Sequence, residues 1–256
     1  MRSPPVVAIV RKEVSKRPLV DQVTKIDAEE VRTIKGMIRE AIRLAVGGLE
    51  KVVSPGDIVL VKPNLAFKAP PESFSVVDPR VVEAICSLIK EETKCKELWV
   101  GDNPSLGPYV GYAREAFKMS GMEEAAYRGG ADRVIYFDEC ATVEVEIPHA
   151  MVFRRAKIFK PIFDADVIIN LPKMKVHLAG VVTLGLKNWN GIIPYEHPSG
   201  QQQGAHRIDL GYKFADLYRA VQPSLTVVDG IIGMEGQGPH AGDPVQMNLI
   251  IAGRDT

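Results

Sequence analysis

Lysines, aspartates and asparagines stand in this chain where short apolar runs stop. Ile58 to Val61 ends in Lys62-Pro63-Asn64, and Leu98 to Val100 ends in Gly101-Asp102-Asn103-Pro104-Ser105. Val167 to Ile169 ends in Asn170-Leu171-Pro172-Lys173, Leu225 to Val228 in Asp229-Gly230, and Asn248 to Ile251 in Ala252-Gly253-Arg254-Asp255. If these runs are parallel strands of one open sheet, their carboxyl ends line a common crevice, where such sheets bind ligands. Lys, Asp, Asn-x-x-Lys, Asp and Asp on one rim suit a polar or charged ligand. Asp, Asn, Pro and Gly also end strands simply because they turn the chain. Lys62 before a proline and Lys173 after one are not turn formers, which tips the pattern toward function.

A second dense stretch runs from Lys173 to Gly191. Its Lys173, Lys175, His177 and Lys187 surround a predicted small-residue helix start at Ala179-Gly180. Free N–H groups at a helix start attract anions, and nearby lysines add to the attraction. A carboxylate or phosphate fits that arrangement; a solvated basic loop beside an apolar helix is the plainer alternative. His177 and His206 both lead into helical patterns, and an imidazole titrates near neutrality without help. Asp102 and Asp229 would then position a histidine or bind a divalent metal. His149, His197 and His240 sit beside Pro or Ala in apparent loops and receive no role.

The glycine-rich run Gly230 to Gly242 reads as a mobile loop over the crevice, with Glu235 its one chemical group. Its glycines follow the order G-x-x-G-x-G without a helix after them, so it is no dinucleotide fingerprint. No GxxxxGK[ST] phosphate loop and no G-x-S-x-G nucleophile elbow occurs.

The elements that position these residues alternate between β-branched runs and helical patterns. Val6 to Val10 reads as a strand. Ala28 to Val46 reads as a helix, with Asp27 as N-cap, Glu30 as its capping-box partner and Gly47-Gly48 as its stop. Asp78-Pro79 opens a second helix as N-cap and N1. Gly111 to Tyr127 is helical with a break near Gly121, and helices are expected around Gly180 to Trp189 and Ile208 to Val221. Thr142 to Ile147 alternates strictly, and with Met151 to Phe159 it predicts a small antiparallel edge or flap over 140–160. Strands separated by helices give an α/β fold: an open, mostly parallel sheet with helices on both faces. One α/β domain over 1–256 is expected. A doubly wound sheet normally covers its last strand with a further helix. Either the chain is a fragment truncated at its C-terminus, or that strand is an edge.

The charge balance is local, not global. Lys plus Arg number 32 and Asp plus Glu number 32, so no overall field draws the chain to nucleic acid or membrane. No apolar stretch approaches the roughly 18 residues of a membrane span. Cys86, Cys95 and Cys140 form no CxxC pair and no zinc spacing. A reducing compartment, the cytoplasm, is the expected location.

Taken together, Val61-Lys-Pro-Asn64, Gly101-Asp-Asn-Pro-Ser105, the stretch from Asn170-Leu-Pro-Lys173 to Lys187-Asn-Trp189, and Asp229 to Pro239 resemble the domain of unknown function 362 family. The resemblance runs in order over roughly residues 57 to 256. It implies an α/β domain of largely uncharacterised role. Many relatives carry an added ferredoxin-like module with cysteine clusters and are described as iron–sulfur proteins. This chain has no cysteine cluster, so no iron–sulfur centre of that form is expected on it. The family's pattern continues past Thr256, in keeping with truncation.

Two readings follow. In the first, the chain is an enzyme acting on a small anionic metabolite. Lys62, Lys173, Lys175 and Lys187 hold the anion, Asn64 and Asn188 orient it, and His177 or His206 moves protons. Redox chemistry enters only where a partner protein or a further segment supplies the electron carrier. In the second, the chain is a non-catalytic docking or scaffold domain whose basic loop meets an iron–sulfur or other acidic partner. Nucleic-acid binding is disfavoured, because no aromatics interleave with the basic loop.

Overall fold

In the computed structural model, residues 6–14, 28–104, 112–194 and 210–254 are described, and they build a nine-stranded sheet. The first half contributes β1 (Val7–Arg11), α1 (Ala28–Val46), β2 (Ile58–Pro63), α2 (Pro79–Glu92), β3 (Glu97–Asp102), α3 (Ala113–Met119), α4 (Met122–Arg128) and β4 (Arg133–Tyr136). A separate two-stranded sheet follows, β5 (Thr142–Glu146) against β6 (Arg155–Phe159). The second half adds α5 (Pro161–Asp164), β7 (Val167–Leu171), β8 (Lys173–His177), β9 (Val181–Thr183), α6 (Gly185–Asn188), α7 (Leu210–Ala220), β10 (Leu225–Glu235) and β11 (Asp243–Gly253).

The main sheet runs in the order β1-β11-β10-β7-β2-β3-β4. From β10 to β4 all pairings are parallel, whereas β11 is antiparallel to both β10 and β1. The mostly parallel α/β sheet expected from the apolar runs is therefore present, with its antiparallel part at one side. Two details differ. Because β11 runs backwards, its end points away from the crevice, and Arg254 donates to the Lys51 carbonyl at 3.0 Å. Asp255 lies outside the described residues. The rim is thus fed by four strands rather than five, and β1 rather than β11 is the edge.

Alternation along the strands sorts side chains onto two faces. Val59, Val61, Leu98, Val100, Val167 and Ile169 pack in one core with Ile34, Ile38 and Ile42 of α1 and Val82, Ile85 and Ile89 of α2. Leu60, Trp99 and Ile168 point the other way, into a core with Phe159 of β6, Trp189, and Phe214 and Leu217 of α7. α2 starts as its sequence predicts: Asp78 caps it by accepting from Arg80 N at 2.9 Å, with Pro79 in the first turn. Asp27 lies outside the described residues, and Glu30 pairs with Arg80 at 2.8 Å. Gly121 separates α3 from α4. The β5–β6 sheet is tied down by the buried Asp216 of α7, whose carboxylate accepts from the backbone N–H groups of Met151, Val152 and Phe153. No helix among the described residues is long and apolar enough to cross a membrane.

Two expected elements are different in kind. The predicted helix around Gly180 to Trp189 is instead the β8–β9 hairpin, the four-residue α6 and a 3-10 turn over Trp189–Ile192. Alternation in Lys173-Met-Lys-Val-His177 is the signal for a strand that the small residues obscured. The glycine-rich run is not a loop until Gly236, because β10 continues through Gly230 and Gly233. Glycine weakens an isolated strand, but here close packing requires it. A Cβ on Gly233 would lie 2.8 Å from Met247 Sδ, and one on Gly230 would lie 3.1 Å from Leu249 Cβ.

Helix α4 sits against α2 through an equally tight contact. A Cβ at Gly129 would fall 2.6 Å from Cys86 Cβ and 2.7 Å from the Glu83 carbonyl oxygen. Gly129→Ala is expected to cost about 1–3 kcal/mol of stability in urea unfolding, as overpacking does. An unchanged midpoint would show that α4 does not bear on α2 in this way.

Candidate functional site

The sheet parts where its chain order reverses. β3 and β4 extend from one side of β2, while β7 and β10 lie on the other. Ligand crevices form outside the carboxyl ends of strands at such a switch point. β2 and β7 stay in register from Val59 opposite Val167 to Pro63 opposite Leu171. After Pro172 the chain continues as β8, which pairs with β10 and β9 and no longer with β2, Lys173 lying opposite Asp229 and Lys175 opposite Met234. Beyond the parting lies a cavity of about 50 Å³. Asn64 and Ala66 line it from the end of β2, Lys175 and His177 from β8, and Thr183 from β9. Lys187, Asn188 and Asn190 close it from α6 and the turn after it, and Pro239 and His240 from the β10–β11 connection.

Beneath the cavity lie two buried ion pairs. Lys62 Nζ sits 2.6 Å from Asp102 Oδ1, and both side chains are at most 2% exposed. Lys62 also donates to the Asn188 carbonyl at 2.7 Å, while Asp102 Oδ2 accepts from Leu65 N at 2.9 Å. Burial pushes the Lys62 ammonium down and the Asp102 carboxyl up, and each partner's charge opposes the other's shift. Lys173 Nζ donates to Asp229 Oδ2 at 2.8 Å, an oxygen that also accepts from Asp78 N, while Oδ1 accepts from Ile231 N. These contacts tie β2 to β3 and β8 to β10.

An asparagine network joins α6 to the sheet. Asn188 Nδ2 donates to the Lys62 carbonyl at 3.2 Å and to Asn170 Oδ1 at 2.8 Å. With both its hydrogens placed, Asn188 offers only Oδ1 to Asn64 Nδ2, at 3.1 Å. Asn64 Oδ1 is thereby fixed as an acceptor, and it is buried without a hydrogen-bond partner.

The remaining lysines are of another kind. Lys175 Nζ donates to the Ser75 carbonyl at 2.5 Å, and Lys213 Nζ to Asn190 Oδ1 at 2.5 Å. Lys187 Nζ stands 5.8 Å from the Phe214 ring centre. Among the described residues no carboxylate pairs with any of the three. Burial, reinforced by the neighbouring lysines, holds Lys175 well below the usual ammonium range. Burial first, and Lys62 second, brings Lys187 down to about 8. Burial and then Lys187 bring Lys213 down to about 7.

Two histidines face this cluster. His177 Nδ1 accepts from Ala179 N and Gly180 N, both at 3.1 Å, so it organises the β8–β9 turn and carries its ring proton on Nε2 when neutral. His240 packs edge-on against Phe67 with ring centres 4.1 Å apart. Burial, Lys175 and Lys187 push its pKa down to about 4, so it is neutral at pH 7.

The structure gathers Lys62, Asn64, Asp102, Lys175, His177, Lys187 and Asn188 around one crevice. Lys173 and Asp229 pair with each other beside it. Asp102 and Asp229 engage lysines and backbone N–H groups rather than a histidine, and among the described residues no three His, Cys, Asp or Glu side chains group to hold a metal ion. Glu235 is exposed at the end of β10, on a separate groove with Met174, Val176 and Met247. His206 lies outside the described residues. No helix N-terminus presents itself at Ala179-Gly180, because that segment is a hairpin turn.

Sequence reasoning passed over Lys213, Asn190, Thr183 and His240. Lys213 had a signal: it stands four residues before Leu217, on the buried face of α7. His240 had none, since its place depends on how the β10–β11 connection folds back.

A family model described as Domain of unknown function (DUF362) matches residues 59–256. The chain belongs to this family. The DUF362 chain is also 31% identical over 216 residues to a thylakoid-associated protein of Synechocystis, covering 82% of this chain but only 62% of that relative's length. Among solved structures it is similar to a protein from Thermotoga maritima at a TM-score of 0.48 and 13% identity, over 84% of this chain and 55% of that one. It is similar at the same TM-score and identity to the lactate racemase apoprotein of Thermoanaerobacterium thermosaccharolyticum, over 85% of this chain and 51% of that one.

Two predictions rest on this electrostatic geometry. Asp102→Asn leaves Lys62 buried without a counter-ion and is expected to cost about 3–5 kcal/mol in denaturant unfolding. A cost below 1 kcal/mol would show the pair to be dispensable. Lys187 and Lys213 have folded pKa values below that of an unfolded lysine, so from about 7 to 10.5 the unfolded chain binds more protons. Stability without ligand should therefore rise with pH across that window, by at most about 1.4 kcal/mol per pH unit for each group. Lys213→Met should flatten the slope of the melting temperature between pH 7 and 9. An equally steep slope in the variant would contradict the assignment.

Proposed function

We propose that this DUF362 chain is an enzyme domain that holds a small anionic metabolite, a carboxylate or a phosphate, in the cavity at the carboxyl ends of β2 and β7. The observation that carries this reading is that Lys175 and Lys187 line the cavity, with Lys213 behind them on Asn190, and that among the described residues no carboxylate pairs with any of the three. An ammonium removed from water and left unpaired costs stability and shifts its pKa, and such groups cluster at functional sites. A bound anion supplies the missing charge.

In this reading Lys175 and Lys187 hold the anion, and Lys213 acts from behind through Asn190. Lys62 and Asp102 form the floor that fixes β2 against β3. Asn64 and Asn188 orient the ligand. His177 presents its Nε2 side, and His240, neutral and half-buried, is the group suited to take a proton from the substrate. The docking alternative needs exposed ammonium groups, whereas Lys175 and Lys213 are 3% and 0% exposed.

Titration with small carboxylates and phosphates, followed by melting temperature and calorimetry, tests the site. Wild-type protein should be stabilised by at least one class of anion. Lys187→Met should weaken that binding at least tenfold while its ligand-free melting temperature at pH 7 stays at or above wild type. Once a turned-over anion is identified by NMR, His240→Gln should keep binding and lose turnover. No stabilising anion, or full-strength binding by Lys187→Met, would end the proposal.

A further inference from the structure

Counting charges and hydrogen-bonding atoms around the cavity narrows its ligand. The titratable groups that line it are Lys175 and His177 from β8, Lys187 from α6, His240 from the β10–β11 connection, and Asp102, which Lys62 pairs from beneath, while Lys213 of α7 stands behind Asn190. Lys62 and Asp102 cancel. His240 is neutral near pH 7. Lys175 and Lys187 remain at the cavity wall without a carboxylate partner, so a single negative charge matches only one of them when both are protonated. Two charges match both, and they favour the protonated form of lysines whose pKa burial lowers.

Two polar atoms add a second constraint. Thr183 Oγ1 and Asn64 Oδ1 are buried without hydrogen-bond partners, and both residues line the cavity. Unsatisfied buried polar atoms are uncommon and call for an explanation. Asn64 Oδ1 cannot be traded for its amide nitrogen, because Asn188 fixes that nitrogen's place. It requires a donor, and no lysine reaches it.

Building on the anion-site reading above, we infer that the ligand presents a compact dianionic group that also carries a hydroxyl donor, as hydrogen phosphate does, and that its binding is accompanied by proton uptake onto the lysine cluster. The hydroxyl donates toward Asn64 Oδ1, and the charged oxygens face Lys175 and Lys187. Thr183 turns its hydroxyl to whichever oxygen is nearest.

Three probes of graded chemistry test this by isothermal calorimetry at pH 8: inorganic phosphate, sulfate and acetate. Each is measured in Tris and in HEPES, whose different ionisation enthalpies reveal protons exchanged. Phosphate is expected to bind at least tenfold more tightly than sulfate, which has the charge but no hydrogen, and more tightly still than acetate. Phosphate binding should take up on the order of one proton, and Lys213→Met should lower that number. Equal affinity for sulfate and phosphate overturns the hydroxyl requirement. Equal affinity for acetate, or binding without proton uptake, overturns the dianion and leaves the anion site standing. Binding of none of the three overturns both this inference and the reading beneath it.

Discussion

The parting of β2 from β8 is the constraint on which the rest of the molecule's chemistry depends. Pro63 ends one strand and Pro172 interrupts the other, and neither has an N–H to carry the ladder further. Asn64 N still donates to the Leu171 carbonyl and Asp229 N to the Pro172 carbonyl, so the chain is held up to the break and released beyond it. β8 then follows β10, and the chain after β2 crosses toward α2. The gap falls at the switch point of a parallel sheet, where no side chain from the core fills it. Because the chain turns onto β10 only after Leu171, Lys175 and His177 stand across the gap from Asn64.

Lysines around that gap divide by partner. Lys62 and Lys173 are as buried as any residue in the chain, and each has an aspartate within 2.8 Å. Those pairs hold strands to strands, and the aspartates take backbone N–H groups as well, so few of their lone pairs are wasted. Buried pairs of this kind add little net stability over a hydrophobic pair, yet losing one partner is severe. Lys175, Lys187 and Lys213 receive carbonyl or amide oxygens or an aromatic ring instead. Neutral acceptors lower the cost of burial without removing the need for a counter-charge. Close packing guards the arrangement: a Cβ on Gly191 would lie 2.9 Å from Lys62 Nζ, so only glycine lets the turn after α6 cover the ion pair.

Much of the framework could be read from residue patterns because it rests on local rules. Apolar runs of three or four residues leading to Lys62, Asp102 and Asn170 are parallel strands, and Asp78-Pro79 starts a helix through a cap visible in two residues. The crevice was legible for the same reason, since strands running one way must end on one side. What failed was non-local. Gly230 and Gly233 read as loop because glycine disfavours strands, while Met247, Leu249 and Met174 pack where side chains would have been. The backward course of β11 leaves no mark in an apolar run, whose period is the same in either direction. Pairing was equally hidden: nothing local says that Asp102 belongs to Lys62 and that Lys187 has no such partner. The lysines singled out from spacing thus included both kinds, and Lys213, inside a helix, was passed over.

The cavity's walls come from parts of the chain that extend past the sheet, and this decides how a ligand acts on the fold. β8 and β9 project as a hairpin, and the tip of the β10–β11 ribbon leans on it, with Leu178 N donating to the Gly238 carbonyl at 3.1 Å. Opposite them stands α6, held by Asn188. Lys175 belongs to the first wall and Lys187 to the second, and they disfavour each other's charge across the gap. Without an anion, repulsion between the walls is reduced only by loss of protons. An anion between them would give both ammonium groups a common centre of attraction. Ligand that binds only this assembled form must stabilise it by mass action. The lysines without a carboxylate partner thus set positive charge on both walls of the gap, Lys175 on one and Lys187 on the other.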